Sequence, residues 1–162
     1  MNGIGYDNRC WLLYVMAPVR KRLKMNLRFE ENSSTTWPQL VVFEEGRRWV
    51  DTVRARLAGL PLRVRHSVAA LDALQLLRSE RSSVVLAELG LRPIDVLRLI
   101  EELGQQSAGH TVLVVARSNH AELELPAREL GAGAFLVEPL AAMQVAGFVE
   151  TVLRRKWRLE RN

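Results

Sequence analysis

The chain has 162 residues, 48% of them hydrophobic and 25% charged, with a formal net charge of +5. That length buries the core of one domain without disulfide or metal support, and the lone Cys10 excludes an internal disulfide and fits a reducing, cytoplasmic setting. The longest early apolar run, residues 10–19, is too short to cross a bilayer, and the basic "RKRLK" follows it, so neither a transmembrane helix nor a secretory signal is expected.

Residues 1–37 carry six Lys/Arg against three Asp/Glu and show no clean period. They run out in "ENSSTTWP", closed by Pro38, and read as a tail or linker in which "WLLYVMAPVRKRLKM" has helix-forming residues. From residue 38 to the end we expect one domain with a basic C-terminal helix end. "QLVVFEE" (39–45) reads as a strand ending in acids. "GRRWVDTVRARLAGL" (46–60) has Trp49, Val50, Val53, Leu57 and Leu60 at helical spacing, with Gly59 and Pro61 to stop it. "LRVRHSV" (62–68) alternates like a strand with one exposed face. "SVAALDALQLLRSE" (67–80) is helical again, with Ser67 as its cap and Leu71, Leu74 and Leu77 on one face.

"SVVLAEL" (83–89) and "TVLVVAR" (111–117) are apolar strands. Between them "PIDVLRLIEELG" (93–104) is a helix with Pro93 in its first turn and Gly104 at its end. A helix over 119–132, bent or delayed by Pro126, leads to a strand over 133–140. A long final helix over 140–160 is expected to pack Met143, Phe148, Val149, Val152 and Leu153 on the sheet, with "RRKWRLER" projecting beyond.

This is a strand-helix unit repeated five times. Strands apolar on both faces call for a parallel sheet covered on both sides, hence an α/β doubly wound three-layer sandwich. Functional groups in such folds gather at the carboxyl ends of the strands. Those ends carry Glu44 and Glu45, then Glu88, then Ala116 and Arg117, then Glu138 and Pro139.

The acidic pair after the first strand, the acid in "LAELGL" and the segment "GAGAFLVEP" occur in the order and spacing of a known family. Residues 39–156 resemble the receiver (CheY-like) domain of bacterial response regulators. The resemblance implies a flavodoxin-like sheet of strand order 2-1-3-4-5 and a place in two-component phosphorelay signalling. It places Glu44 and Glu45 on the magnesium-binding acidic pair and Glu88 on the phosphate-accepting aspartate. Ala116 falls on the Ser/Thr switch position, Phe135 on the aromatic switch, Glu138 on the lysine and Pro139 on the proline after it, with a cis Glu138–Pro139 peptide implied. Arg92 stands where the family usually has proline.

Three of these positions depart from the chemistry. Glutamate reaches about 1.5 Å further than aspartate, out of an in-line geometry that tolerates less. Ala116 has no hydroxyl, and Glu138 reverses the charge that would neutralise a phosphoryl group. Together they point to a degenerate pseudo-receiver. Three readings of the acidic pole follow. Arginines neutralise it, Arg92 and Arg117 first and Arg47 or Arg48 besides. Alternatively Glu44, Glu45 and Glu88 hold a divalent cation, Mg²⁺ or Ca²⁺. Or Glu88 imitates a phosphorylated aspartate.

No motif of nucleophilic, zinc or dinucleotide chemistry occurs, so no enzyme activity or resident cofactor is expected. His66, His110 and His120 lack ligand spacing and read as surface or strand-end side chains. The expectation is a stand-alone, phosphorylation-independent module. It acts in signal transduction through a protein partner or homodimer contact on the last strand and last two helices, with nucleic acid an unlikely partner. The alternatives are a small-ligand or nucleotide-binding module on the same fold, and a genuine phosphoacceptor using Glu88.

Overall fold

The computed structural model describes residues 38–78, 83–90, 92–106 and 109–160, with side chains through Trp157. The tail expected over 1–37, and the short helix within it, lie outside the described residues.

The elements alternate as the periodicity predicts: β1 (Gln39–Phe43), α1 (Arg48–Arg56), β2 (Arg63–Ser67), α2 (Ala70–Arg78), β3 (Ser83–Leu89), α3 (Pro93–Gly104), β4 (Thr111–Ala116), α4 (Glu124–Glu129), β5 (Ala132–Val137) and α5 (Ala142–Glu160). A 3₁₀ turn, Ser118–Leu123, precedes α4. The five strands are parallel, in the order β2-β1-β3-β4-β5.

Two apolar layers hold the sheet. Leu40 and Val42 of β1, Val84 and Leu86 of β3, and Leu113 and Val115 of β4 face α1 and α5, meeting Trp49, Val53, Val149 and Leu153. The alternate residues, among them Val41, Val85, Ala87, Val112 and Val114, face α2, α3 and α4 and meet Leu77, Leu99 and Ile100. This explains why the central strands are apolar throughout: successive side chains enter opposite layers. Each such Val, Leu or Ile side chain contributes roughly 1.5–3 kcal/mol on burial. Among the described residues β2 pairs only with β1, and it keeps the exposed-to-half-buried alternation of an edge strand.

Several local expectations are corrected. The helix expected over 119–132 is divided: the 3₁₀ turn kinks at His120 (φ −122°, ψ 15°), and Pro126 is the third residue of α4, where a missing N–H removes no intrahelical bond. Leu71 is 62% exposed, and Ala73 and Leu77 are the buried residues of α2. Ser67 does not cap α2; its hydroxyl donates to the Ala69 carbonyl (2.8 Å) in the turn ahead of the helix. Met143 and Phe148 point outward at 52% and 38% exposure, while Val145, Ala146, Val149 and Leu153 make the buried stripe of α5. Only one narrow stripe of that helix reaches the sheet, and the apolar residues beside it stay wet.

Gly104 ends α3 where a larger residue would not fit, since a Cβ there would stand 2.8 Å from the Leu130 carbonyl oxygen. Gly59 turns the chain out of α1 with φ +92°, the left-handed region that favours glycine.

Candidate functional site at the carboxyl pole of the sheet

The register brings the strand ends together: Phe43 lies beside Ser67 and Ala87, Leu89 beside Ala116, and Ala116 beside Val137. The acids that follow these strands therefore share one pole.

Glu44 continues the alternation of Leu40 and Val42 and so turns toward α1. It is buried, and its two carboxylate oxygens accept the backbone N–H groups of Trp49 (3.0 Å) and Val50 (2.7 Å). These N–H groups belong to the first turn of α1 and have no partner inside the helix. The Arg47 side chain at the N-cap position makes no capping bond, so Glu44 does that work from three residues upstream, with its charge at the favourable end of the helix dipole.

Glu45, next in sequence, is exposed and pairs with Arg92 (Nε–Oε1 3.6 Å). Arg92 also reaches Asp95 (3.7 Å) and donates to the Val68 carbonyl (3.4 Å). It thereby ties the loops after β1, β2 and β3.

Glu88 is half-buried at the end of β3. Its pKa is raised from the ordinary value of 4.5, first by burial and then by the neighbouring Glu44 carboxylate. Glu138 and Glu45 push it the same way, and Arg117 opposes them. Arg117 acts through its field; among the described residues it makes no ion pair.

Ala116 is fully buried, and its carbonyl accepts the Glu138 N–H at 2.8 Å. The Glu138 carboxylate is ion-paired with Arg48 of α1, whose guanidinium lies 4.2 Å over the Trp49 ring and also donates to the Leu140 carbonyl (3.4 Å). The Glu138–Pro139 peptide is cis. Phe135 is 7% exposed and packs in the α2–α4 layer. An open cavity of about 660 Å³ lies between the loops after β4 and β5, lined by Arg117, Ser118, Asn119, Glu138, Pro139 and Leu140 among others.

The arginine assignments are thus redistributed. Arg48 answers Glu138, Arg92 answers Glu45, and Arg47 is occupied by Asp51 at 3.0 Å. The divalent-cation reading does not fit. Both Glu44 oxygens are engaged by backbone N–H groups, and among the described residues no group of three or more His, Cys, Asp or Glu is placed to hold a metal ion.

One contact at the pole escaped the sequence. His120, expected at the surface or at a strand end, is half-buried in the 3₁₀ turn after β4, and its Nε2 lies 3.1 Å from the Gly90 carbonyl oxygen. It links the segment after β4 to the loop that carries Glu88. Its partner is a backbone carbonyl 30 residues away, which leaves no side-chain signature. His110 stands at a strand end, directly before β4, and both its ring nitrogens are buried and without a partner among the described residues. Burial, and then the charge of Lys156, hold its pKa below 6.5.

Solved structures similar to this one include response-regulator receiver domains. The signal receiver domain of an HD domain-containing protein from Pseudomonas fluorescens matches at TM-score 0.64 and 19% identity, covering 82% of this chain and 98% of that one. A response regulator from Thermotoga maritima matches at TM-score 0.60 and 18% identity, covering 72% and 98%. An orphan response regulator of H. pylori matches at TM-score 0.59 and 15% identity, covering 70% and 94%. No family model matches the sequence, and no curated protein matches it. The chain has the fold of a response-regulator receiver domain. No helix among the described residues is long and apolar enough to cross a membrane.

Proposed function

We propose that this chain is a receiver-like signalling module of the cytoplasm that works without phosphorylation, through contact with a protein partner. One observation carries the reading. Where a phosphoryl group on residue 88 would need a cation, the neighbouring position holds Glu138, already paired with Arg48 and raising the pKa of Glu88. Ala116 supplies no hydroxyl to follow a phosphoryl oxygen, and Glu44, which would help hold the magnesium, is committed to the first turn of α1. The pole is internally balanced by Arg48, Arg92 and the field of Arg117.

The surface of β5, α4 and α5 is where partner contact is assigned. Leu125 of α4 and Phe148 of α5 are exposed there at 67% and 38%, apolar side chains that a partner would cover. The test is incubation with radiolabelled acetyl phosphate and magnesium. The reading expects no label labile to alkali and hydroxylamine on the chain; such a label lost in Glu88→Gln would overturn it.

A further inference from the structure

The cavity of about 660 Å³ at the carboxyl pole lies beside the acidic positions, not over them: neither Glu44 nor Glu88 lines it. Its volume is that of a small-molecule site. Its walls are the loops after β4 and β5, neighbouring strands that place Ala116 beside Val137. The Glu138 N–H donates to the Ala116 carbonyl at 2.8 Å, so the two loops are fastened together at their roots. The two guanidinium groups of the lining differ. Arg48 is spent on Glu138 and the Leu140 carbonyl. Arg117 is exposed, and its side chain makes no ion pair or hydrogen bond among the described residues. The hydroxyl of Ser118 and the amide of Asn119, next in sequence and in the same wall, likewise have no partner among the described residues. Apart from the paired Glu138, the other loop contributes Pro139, Leu140 and Ala141, an apolar wall.

Charge narrows the ligand. Arg48 offsets Glu138, which leaves Arg117 as the charge of the lining without an ion-pair partner among the described residues. One free cation balances one negative charge. A dianionic phosphate would add a second negative charge close to the Glu138 and Glu88 carboxylates, both of which already repel charge here. A carboxylate instead matches the planar guanidinium fork with two parallel N–H···O bonds. Ser118 and Asn119 have donors to add to it, and the apolar wall calls for an apolar body on the same molecule. A largely apolar cleft with a few convergent polar groups is the usual form of such a site.

We propose that the cavity between the loops after β4 and β5 binds a small organic acid, its single carboxylate held by Arg117, Ser118 and Asn119 and its apolar body lying on Pro139, Leu140 and Ala141. This adds a ligand to a domain whose proposed function names only a protein partner. The binding stands whether or not a partner docks on α4 and α5, and whether or not Glu88 takes phosphate.

The test titrates the full chain with hexanoate and with phenylacetate, one flexible and one flat apolar monocarboxylate, read by amide proton–nitrogen NMR. At least one should shift the signals of Arg117, Ser118, Asn119 and Leu140 saturably, with a Kd on the order of a few millimolar, the scale for ligands this small. The matching neutral amide, hexanamide or phenylacetamide, should bind at least about tenfold more weakly, because the charge-assisted bonds are lost. Arg117→Gln should weaken the acid by a similar factor, and Arg117→Lys, which keeps the charge and loses the fork, should fall between. Arg78→Gln, on α2, should leave affinity unchanged; circular dichroism confirms that each variant folds. The bound carboxylate should also offset the field of Arg117 at Glu88, so the Glu88 pKa should rise further on binding. No saturable shift with either acid up to about 20 mM, several times the expected Kd, overturns the proposal. So does undiminished binding by Arg117→Gln or by the neutral amide, which would leave an apolar contact alone. Inorganic phosphate that shifts the same signals at equal or lower concentration also overturns it, and would make the cavity a phosphate site.

Discussion

Arg48 and Glu138, ninety residues apart in sequence, are ion-paired across the carboxyl pole of the sheet. The pair joins the start of α1 to the loop before α5, so the position that resembles the family's lysine is neutralised from a helix that follows a different strand. Half of the Arg48 side chain is exposed, and exposed pairs of this kind contribute about 1 kcal/mol or less. Glu138→Gln should therefore change stability by no more than about that amount. Its effect belongs to Glu88: a carboxylate that raises the Glu88 pKa is removed, so that pKa should fall. Carbon-detected NMR titration of the Glu88 carboxyl reads it, and an unchanged or higher value contradicts the assignment.

Glu44 gives the second prediction. It is 2% exposed and supplies both acceptors for the first turn of α1. Glu44→Ala leaves two backbone N–H groups without partners and should cost about 2–3 kcal/mol in urea unfolding. Glu44→Gln keeps an acceptor and should cost less. The same geometry predicts that magnesium or calcium at millimolar concentration leaves the wild-type melting temperature unchanged, because the carboxylate faces N–H donors. A metal-dependent rise in melting temperature that Glu44→Gln abolishes would reinstate the cation reading.

These two residues also mark how far the sequence could be read. The strands were legible because a sheet covered on both sides demands apolar residues in both parities, and Val84–Ala87 and Val112–Val115 meet that demand. The positions of Glu44, Glu88, Ala116 and Glu138 were legible because each stands within a residue or so of the carboxyl end of an apolar strand. Their partners were not. Arg48, Arg92 and Arg117 are equivalent in a sequence, and packing alone decides which acid each meets. The stripe of α5 was misread for a similar reason: Val145 and Val149 share one helical spacing and Phe148 and Val152 another, and the sheet accepts only the first pair among its fully buried residues.

Glu88 makes the pole sensitive to pH. Its pKa is raised above 4.5 in the folded chain, by burial first, so the fold disfavours its ionised form. Below pH 4.5 the group is protonated both folded and unfolded and contributes no penalty. As pH rises from 4.5 through the raised folded value the penalty grows, and it is constant above. Glu88→Gln, neutral at every pH, should melt a few degrees higher than wild type at pH 7, with the advantage gone at pH 4. An equal melting temperature at pH 7 would mean that Arg117 compensates the carboxylate in full.

His110 predicts a dependence of opposite sense. Burial and Lys156 hold its pKa below 6.5, so the folded chain disfavours its cation. Above pH 6.5 the imidazole is neutral in both states and nothing is lost. As pH falls from 6.5 toward the lowered folded value, the unfolded chain takes up a proton that the folded one resists, and stability declines. The two ring nitrogens have no partner among the described residues, so a neutral apolar replacement leaves no donor or acceptor stranded. His110→Leu should match or exceed wild type at pH 7.5 and hold its stability better between pH 6.5 and 5. Parallel pH profiles for the two chains would remove His110 as the cause.

His120 gives the last prediction, because it makes the one side-chain hydrogen bond between the segment after β4 and the Glu88 loop among the described residues. The contact requires a donor at the position of Nε2 and a ring that fills a half-buried space, and these needs can be separated. His120→Phe keeps the volume and loses the donor; His120→Gln keeps a donor and loses ring volume. A single hydrogen bond of this kind is worth about 1 kcal/mol, equivalent to roughly a fivefold change in local opening. Hydrogen–deuterium exchange of residues 117–125 should therefore speed up about fivefold in His120→Phe and return toward wild type in His120→Gln, with β1 and β3 unaffected. If ring volume alone holds the segment, the order reverses: His120→Phe stays protected and His120→Gln opens. Uniform loss of protection across the sheet would instead mean that His120 supports the whole fold, and the link between the two loops would carry no separate role.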